Sequence, residues 1–242
     1  MPEFDLRKMY FAEYNNNNGV VTYGTVLDAG DAMNTNWEFR YAEGRLYAAS
    51  TLAEFIREAV GGTVSVAVKY FPAAVQQLLF GDSPRTRSIS YTPAGASEPV
   101  TKDVTSQVYG GNSRAKNVGF AGYALDLIDG AQKVTAFKLA RVLFGKPGKS
   151  LQTKGGDTIN FATPTSSGEF MADHSGNKDM VEMAILDTEE EADAWCRASL
   201  PAAQTQAASE TPAGSETPAA SETPAGSETP AGEGSGENGG GA

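Results

Sequence analysis

A chain with one cysteine cannot close an internal disulfide, and this 242-residue sequence has only Cys196. It reads as a protein made in a reducing cytoplasm, with no covalent staple in its fold. Cys196 follows Trp195 in an amphipathic stretch, which suits a buried apolar side chain better than a reactive thiol. Histidine is equally scarce. His174 alone cannot supply a histidine-rich zinc site, and no motif supports a Ser-His-Asp triad around it. Its neighbours in FMADHSGNKD are turn formers, so it reads as a solvated loop residue with no catalytic role. Long apolar runs are also missing. Nothing approaches the roughly 18–20 residues of a membrane span, and the opening MPEFDLRKMYFAEYNNNNG has no apolar run of the secretory kind, so no membrane partner is expected.

Positive charge is in short supply: 19 Lys and Arg stand against 30 Asp and Glu, for a net charge of −11. The clustered cations that displace counterions from phosphates are lacking, which argues against a nucleic-acid binder of the usual kind. The acids are unevenly spread. Residues 201–242 hold six glutamates and no Lys or Arg, leaving −5 for the first 200 residues. From Ser209 the chain repeats as SETPAG, SETPAA, SETPAG, SETPAG before EGSGENGGGA. Without aromatic or branched aliphatic residues such a segment cannot bury enough surface to offset chain entropy. The expected organisation is a folded domain over 1–200 and a disordered acidic tail over 201–242.

What remains is strand-rich. Thr63–Val68 alternates strictly and puts Val64, Val66 and Val68 on one face. In YFPAAVQQLLFG, Pro72 opens and Gly81 closes a short helix with Val75, Leu78 and Leu79 on one side. Weak strand signals surround Ile89–Tyr91 and Val104–Val108. Asp129-Gly130 joins two apolar runs as a tight hairpin, with Tyr123, Leu125 and Leu127 expected on one face. Thr158–Thr163 alternates again. A capping box, Thr188 with Glu191, begins a helix that packs Ala192, Trp195 and Cys196 on the sheet and ends before Pro201. The sum is about six to eight strands and two short helices without β-α-β alternation, hence a mainly β sandwich or barrel with flanking helices.

Three constellations invite chemistry. GKPGKS ends like a phosphate-binding loop, but Leu143 stands where the first glycine is needed, and Gly155-Gly156 breaks the helix that should follow. It reads as a turn between strands. Asp126, Asp129 and Asp157 lack calcium-loop spacing and read as turn and solvent-face residues. Trp37, Phe39 and Tyr41 alternate; with few basic neighbours they read as an apolar strand face more readily than a base-stacking platform. No catalytic residue, metal site or cofactor is expected.

Three stretches, taken in order, resemble the major tail protein of bacteriophages with long non-contractile tails, the siphovirus tail tube subunit. RLYAASTLAEFIREAVGGTVSVAV is similar to that family through Leu46, Tyr47, Ala48, Ala53, Glu54, Gly61 and Gly62, with Ala49 where an aspartate is common. NVGFAGYALDLIDGAQKVTAFKLARVLFGKPGKSLQTKGGDTINFATPTSSGEF resembles its strand, hairpin, Gly/Pro loop and Thr-Pro-Thr elements, and DTEEEADAW its closing helix. The resemblance spans about residues 20–198. It implies a β-sandwich virion protein, made in the host bacterial cytoplasm. It further implies that copies form rings, generally hexameric, that stack into a tube for ejection of double-stranded DNA. The partners it implies are the chain itself and the tape measure, tail terminator and distal tail proteins. DNA would pass without specific binding, which an acidic or neutral lumen favours.

On that view the expected assembly contacts are Leu46, Tyr47, Ala48 and Glu54, in a stretch from Leu46 to Gly62 taken to interrupt two strands. Lys146, Lys149 and Lys154 of a flexible loop, Gly145 to Gly156, are expected to meet acids of a neighbouring subunit. The acidic tail is expected to project outside the tube, because six copies per ring would crowd a lumen. Two other readings stand beside it: a β-sandwich surface module that binds carbohydrate or protein on a Ser/Thr/Pro-rich stalk, and, more distantly, a nucleotide hydrolase at GKPGKS.

Overall fold

Strong alternation and two sharply punctuated helices produce eleven strands and two helices in a computed structural model that describes residues 3–48, 51–149 and 163–202. In chain order these are β1 (Glu3–Asn17), β2 (Val20–Tyr23), β3 (Leu27–Asp28), β4 (Ala32–Ala48), β5 (Thr51–Val68), α1 (Ala73–Phe80), β6 (Ser83–Tyr91), β7 (Val100–Val108), β8 (Asn117–Ile128), β9 (Ala131–Phe144), β10 (Thr165–Met171), β11 (Val181–Leu186) and α2 (Glu189–Ala198). Nine strands form one antiparallel sheet in the order β2-β1-β8-β9-β10-β5-β4, with β3 also on β1 and β11 also on β9. Strands β6 and β7 form a separate ribbon. The chain divides into two units between Thr205 and Gln206, and every described residue belongs to the first.

The middle strands are covered on both faces, which explains why β8 is apolar almost without interruption. Alternate residues feed two cores. Met9, Phe11, Phe120, Phe137 and Leu139 join Val64, Val66 and Val68 of β5 and Val75 and Leu79 of α1. Tyr10, Ala12, Ala121, Tyr123, Leu125 and Ala136 join Ala192 and Cys196 of α2. Phe11 stacks on Phe120 at 5.0 Å, and Phe144 meets Phe11 edge-on at 5.5 Å. Each such buried ring contributes about 1.5–3 kcal/mol. The layers are therefore helix, sheet, and the returning β5 with α1, a mainly β sandwich built by one sheet that branches at β9.

The punctuation works locally as expected. Pro72 precedes α1 with ψ 150°, and Gly81 closes it in the left-handed region at φ 70°. Asp129 and Gly130, at φ 51° and 79°, make the two-residue hairpin turn of β8–β9. Thr188 Oγ1 accepts the Glu191 N–H at 3.2 Å, while the Glu191 carboxylate accepts from the Asp187 N–H at 3.1 Å.

Several expectations need correction. Leu127 shares a strand face with Tyr123 and Leu125 but is exposed, at the last pairs before Asp129-Gly130 and beyond the buried residues of that face. Asp126 is no solvent-face residue: it is buried and accepts hydrogen bonds from Leu127 N–H at 2.7 Å and Thr135 Oγ1 at 3.1 Å. The Leu46–Gly62 stretch does not interrupt strands; its described residues continue β4 and β5 as one long hairpin. Residues 158–162 of the strand expected at 158–163, and Asp157, lie outside the described residues, as does nearly all of 201–242; Thr163 itself precedes β10 and belongs to no strand. Tyr23 N–H donates to Pro201 O at 2.8 Å and Tyr23 bridges Ala202, so the fold uses two residues beyond Leu200.

Helix α2 is held by polar contacts as well as packing. The Tyr10 hydroxyl donates to Asp193, and Arg197 Nε donates to the other Asp193 oxygen at 2.9 Å. Burial, then the Asp193 hydrogen bond, pushes the Tyr10 hydroxyl well above its ordinary range. Burial also raises Tyr23 strongly and takes Tyr123 and Cys196 each to about 12. All four are neutral in the fold and ionise more easily in the unfolded chain. Their stabilisation is whole below the unfolded values, about 8.5 for the thiol and 10 for the phenols, and is lost as pH rises above them. The slope is about 1.4 kcal/mol per pH unit for each group past its unfolded value. Urea midpoints should therefore fall steeply between about pH 9 and 11, and Cys196→Ala should remove the earliest part of that fall.

Candidate assembly interface

Beyond the core, β4 and β5 continue as a two-stranded arm, and residues 53–60 are all exposed. Register shifts at Arg40/Tyr41 and Leu46/Tyr47 mark β-bulges that leave Val60 and Ala53 unpaired and add twist. One face carries Trp37, Phe39, Tyr41, Glu43, Arg45 and Tyr47 of β4 with Arg57 and Phe55 of β5. The Arg57 guanidinium sits 3.9 Å from the Tyr41 ring centre, and Arg45 lies 5.5 Å from that of Phe55. Glu43 joins the two arginines at 3.1 and 3.5 Å. This ladder of cation–π and ionic contacts stiffens an element that has no core of its own. Trp37 and Phe39, read as an apolar face, root the ladder in the body against Phe137 at 4.8 Å and Phe170 at 5.2 Å.

The opposite face carries Glu38, Arg40, Ala42, Gly44 and Leu46 with Glu58, Ile56 and Glu54. Leu46 is 59% and Tyr47 60% exposed, on opposite faces, and Glu54 is exposed directly across from Leu46. Ala48 ends β4, paired with Thr51. Four of the seven expected contact residues thus come together at the arm's end. Strand β4 pairs only with β5 among the described strands, so its outer edge offers unpaired backbone groups along its length.

The lysines do not join them. Lys146 is committed within its own chain: its Nζ donates to both oxygens of Asp82 at 2.6 and 2.5 Å. It also lies 4.7 Å from the Tyr109 ring centre. The Asp82 carboxylate is completely buried, so the pair is a structural pin. Lys146, expected to meet acids of a neighbouring subunit, thus already has an acid partner within its own chain. Lys149 is exposed in the loop after β9, and Lys154 lies outside the described residues.

The other candidates take structural places. Leu143 is a paired residue of β9, opposite Asn117 and Glu169, so the position a phosphate loop needs as glycine is inside a strand. A cleft of about 420 Å³ beside this loop is lined by Lys69, Lys146 and Lys149 among others. Two of those are occupied, Lys69 by Asp31 at 3.1 Å and Lys146 by Asp82. His174 is exposed as expected but not free: Nδ1 lies 3.0 Å from the Tyr14 hydroxyl and Nε2 3.2 Å from Arg141. Neighbouring Asp173 accepts from Ser175 and Asp179 N–H groups, which orders that turn.

No protein-family model matches the chain, and a search of curated proteins finds no match.

Proposed function

We propose that this protein is a structural virion subunit that polymerises as stacked rings, generally hexameric, to form the tail tube of a long-tailed bacteriophage. The observation that carries the reading is the β4–β5 arm: open at one edge, exposed on both faces, and ending in Leu46, Tyr47 and Glu54, three of the residues that carry the family resemblance. A long unprotected strand edge invites pairing with another chain. A head-to-tail contact of that kind closes into rings or propagates as a filament. Tape measure, terminator and distal tail proteins are the partners this role entails, and DNA passes through without specific recognition.

Because Leu46 and Tyr47 are mostly exposed, aspartate at both should change stability by no more than about 0.5 kcal/mol per site. Leu46→Asp/Tyr47→Asp is expected to give a folded monomer that no longer forms rings or tubes in negative-stain micrographs and sedimentation. Unchanged tubes would remove the arm from the assembly. A wild-type chain that stays monomeric at high concentration and instead binds a carbohydrate or protein would replace this reading with the surface-module one.

A further inference from the structure

The β6–β7 ribbon sorts its side chains by face. Cross-strand pairing puts Arg85, Arg87, Ile89 and Tyr91 together with Ser106, Val104, Lys102 and Val100. The other face holds Thr86, Ser88 and Ser90 with Thr105, Asp103 and Thr101, zipped by hydroxyl contacts such as Thr86 to Thr105 at 2.9 Å. At the ribbon's base, Gln107 of this hydroxyl face meets Gln77 of α1 at 3.4 Å. The first face thus carries three cations and four large apolar residues, all exposed, and no acid.

Those three cations, like Arg114, Arg141, Lys149 and Lys178, lack an ion pair among the described residues, but only these three share one face. Most other cations of the described residues have a carboxylate within 4 Å. The arm presents the converse. On its second face Arg40 is taken by Glu169 at 3.7 Å, which leaves Glu38, Glu54 and Glu58 without a cation among the described residues, interleaved with exposed Leu46 and Ile56.

Resting on the reading of the chain as a self-assembling subunit, we infer that the basic face of the β6–β7 ribbon docks on the acidic face of the β4–β5 arm of a second copy. The ribbon's cations meet carboxylates of the arm, and Ile89, Tyr91, Val100 and Val104 cover Leu46 and Ile56. Charge complementarity selects register and partner while the apolar residues supply burial. The ribbon is pre-set for this role. Asp82, immediately before β6, and Tyr109, immediately after β7, are both held by Lys146, so its root is fixed before a partner arrives.

Charge exchange tests this in the full-length chain. Arg85→Glu/Arg87→Glu/Lys102→Glu, and separately Glu38→Lys/Glu54→Lys/Glu58→Lys, should each raise the concentration needed for assembly by about 100-fold or more through like-charge contact. Each monomer should keep the wild-type circular dichroism spectrum. Mixed in equal amounts, the two variants should assemble again, because each ribbon then finds an arm of opposite sign on the other chain. A chain with all six changes should assemble alone. Failure of both rescues, or wild-type assembly by the ribbon variant, would overturn the ribbon–arm contact while leaving the tube reading intact. A wild-type chain that never assembles would overturn both.

Discussion

Replacing Lys146 by methionine is expected to lower the unfolding free energy by about 3–5 kcal/mol. The methionine keeps the length of the side chain and removes its charge, so the Asp82 carboxylate, with no exposure to solvent, loses the ammonium that holds both its oxygens. A buried charge stripped of its partner costs far more than the pair contributed. Changing both residues, Asp82→Leu with Lys146→Met, should recover most of the loss, because neither half is then left uncompensated. Urea unfolding of the two single variants and the double variant measures this coupling. A loss below about 1 kcal/mol for Lys146→Met would mark the pair as equivalent to a surface ion pair. The same substitution should loosen the ribbon's root, since Asp82 and Tyr109 flank its two strands, and so, on the proposed ribbon–arm contact, weaken assembly beyond its effect on stability.

That pin shows where reading the sequence reaches its limit. Elements defined by neighbours along the chain were legible: Pro72 and Gly81 bound α1, Asp129-Gly130 turns a hairpin, Thr188 and Glu191 cap α2, and alternating valines bury one side of β5. Each depends on local dihedral preference or side-chain period. The ribbon carries an equally plain signal, since Arg85-Thr-Arg-Ser-Ile-Ser-Tyr91 alternates strictly. Its apolar share is small, so hydrophobicity marks it only weakly, at Ile89–Tyr91 and Val104–Val108 within β6 and β7. The arm was obscured for the opposite reason: exposed on both faces, its residues 41–47 and 53–60 have no buried stripe, and its bulges break the period of two. Lys146 looked like a free loop lysine because its partner lies 64 positions away, and only the folded sheet brings the two together. Asp126 was misread similarly, its turn-like surroundings hiding a buried contact with Thr135.

Alanine at Gly62 is expected to cost about 3 kcal/mol or more, the upper end of overpacking losses. Gly62 sits at the root of the arm, paired with Phe39 on one side and Phe170 on the other, and the two rings meet edge-on at 5.2 Å. A β-carbon there would lie 2.1 Å from the Glu38 carbonyl oxygen and 2.4 Å from the Phe170 ring. The ring could turn aside only by giving up its core contacts, and the carbonyl only by parting β4 from β5. Gly44, farther out on the same arm, is the internal control: a β-carbon there meets nothing within 4 Å, so Gly44→Ala should change stability by less than about 0.5 kcal/mol. On the proposed assembly, Gly62→Ala and Leu46→Asp/Tyr47→Asp separate two ways of losing it. Gly62→Ala should lose assembly together with stability, because the arm no longer leaves the body at its proper angle. Leu46→Asp/Tyr47→Asp should lose assembly alone, so a Gly62→Ala protein within about 1 kcal/mol of wild type would mean that the arm's root tolerates a movement this packing forbids.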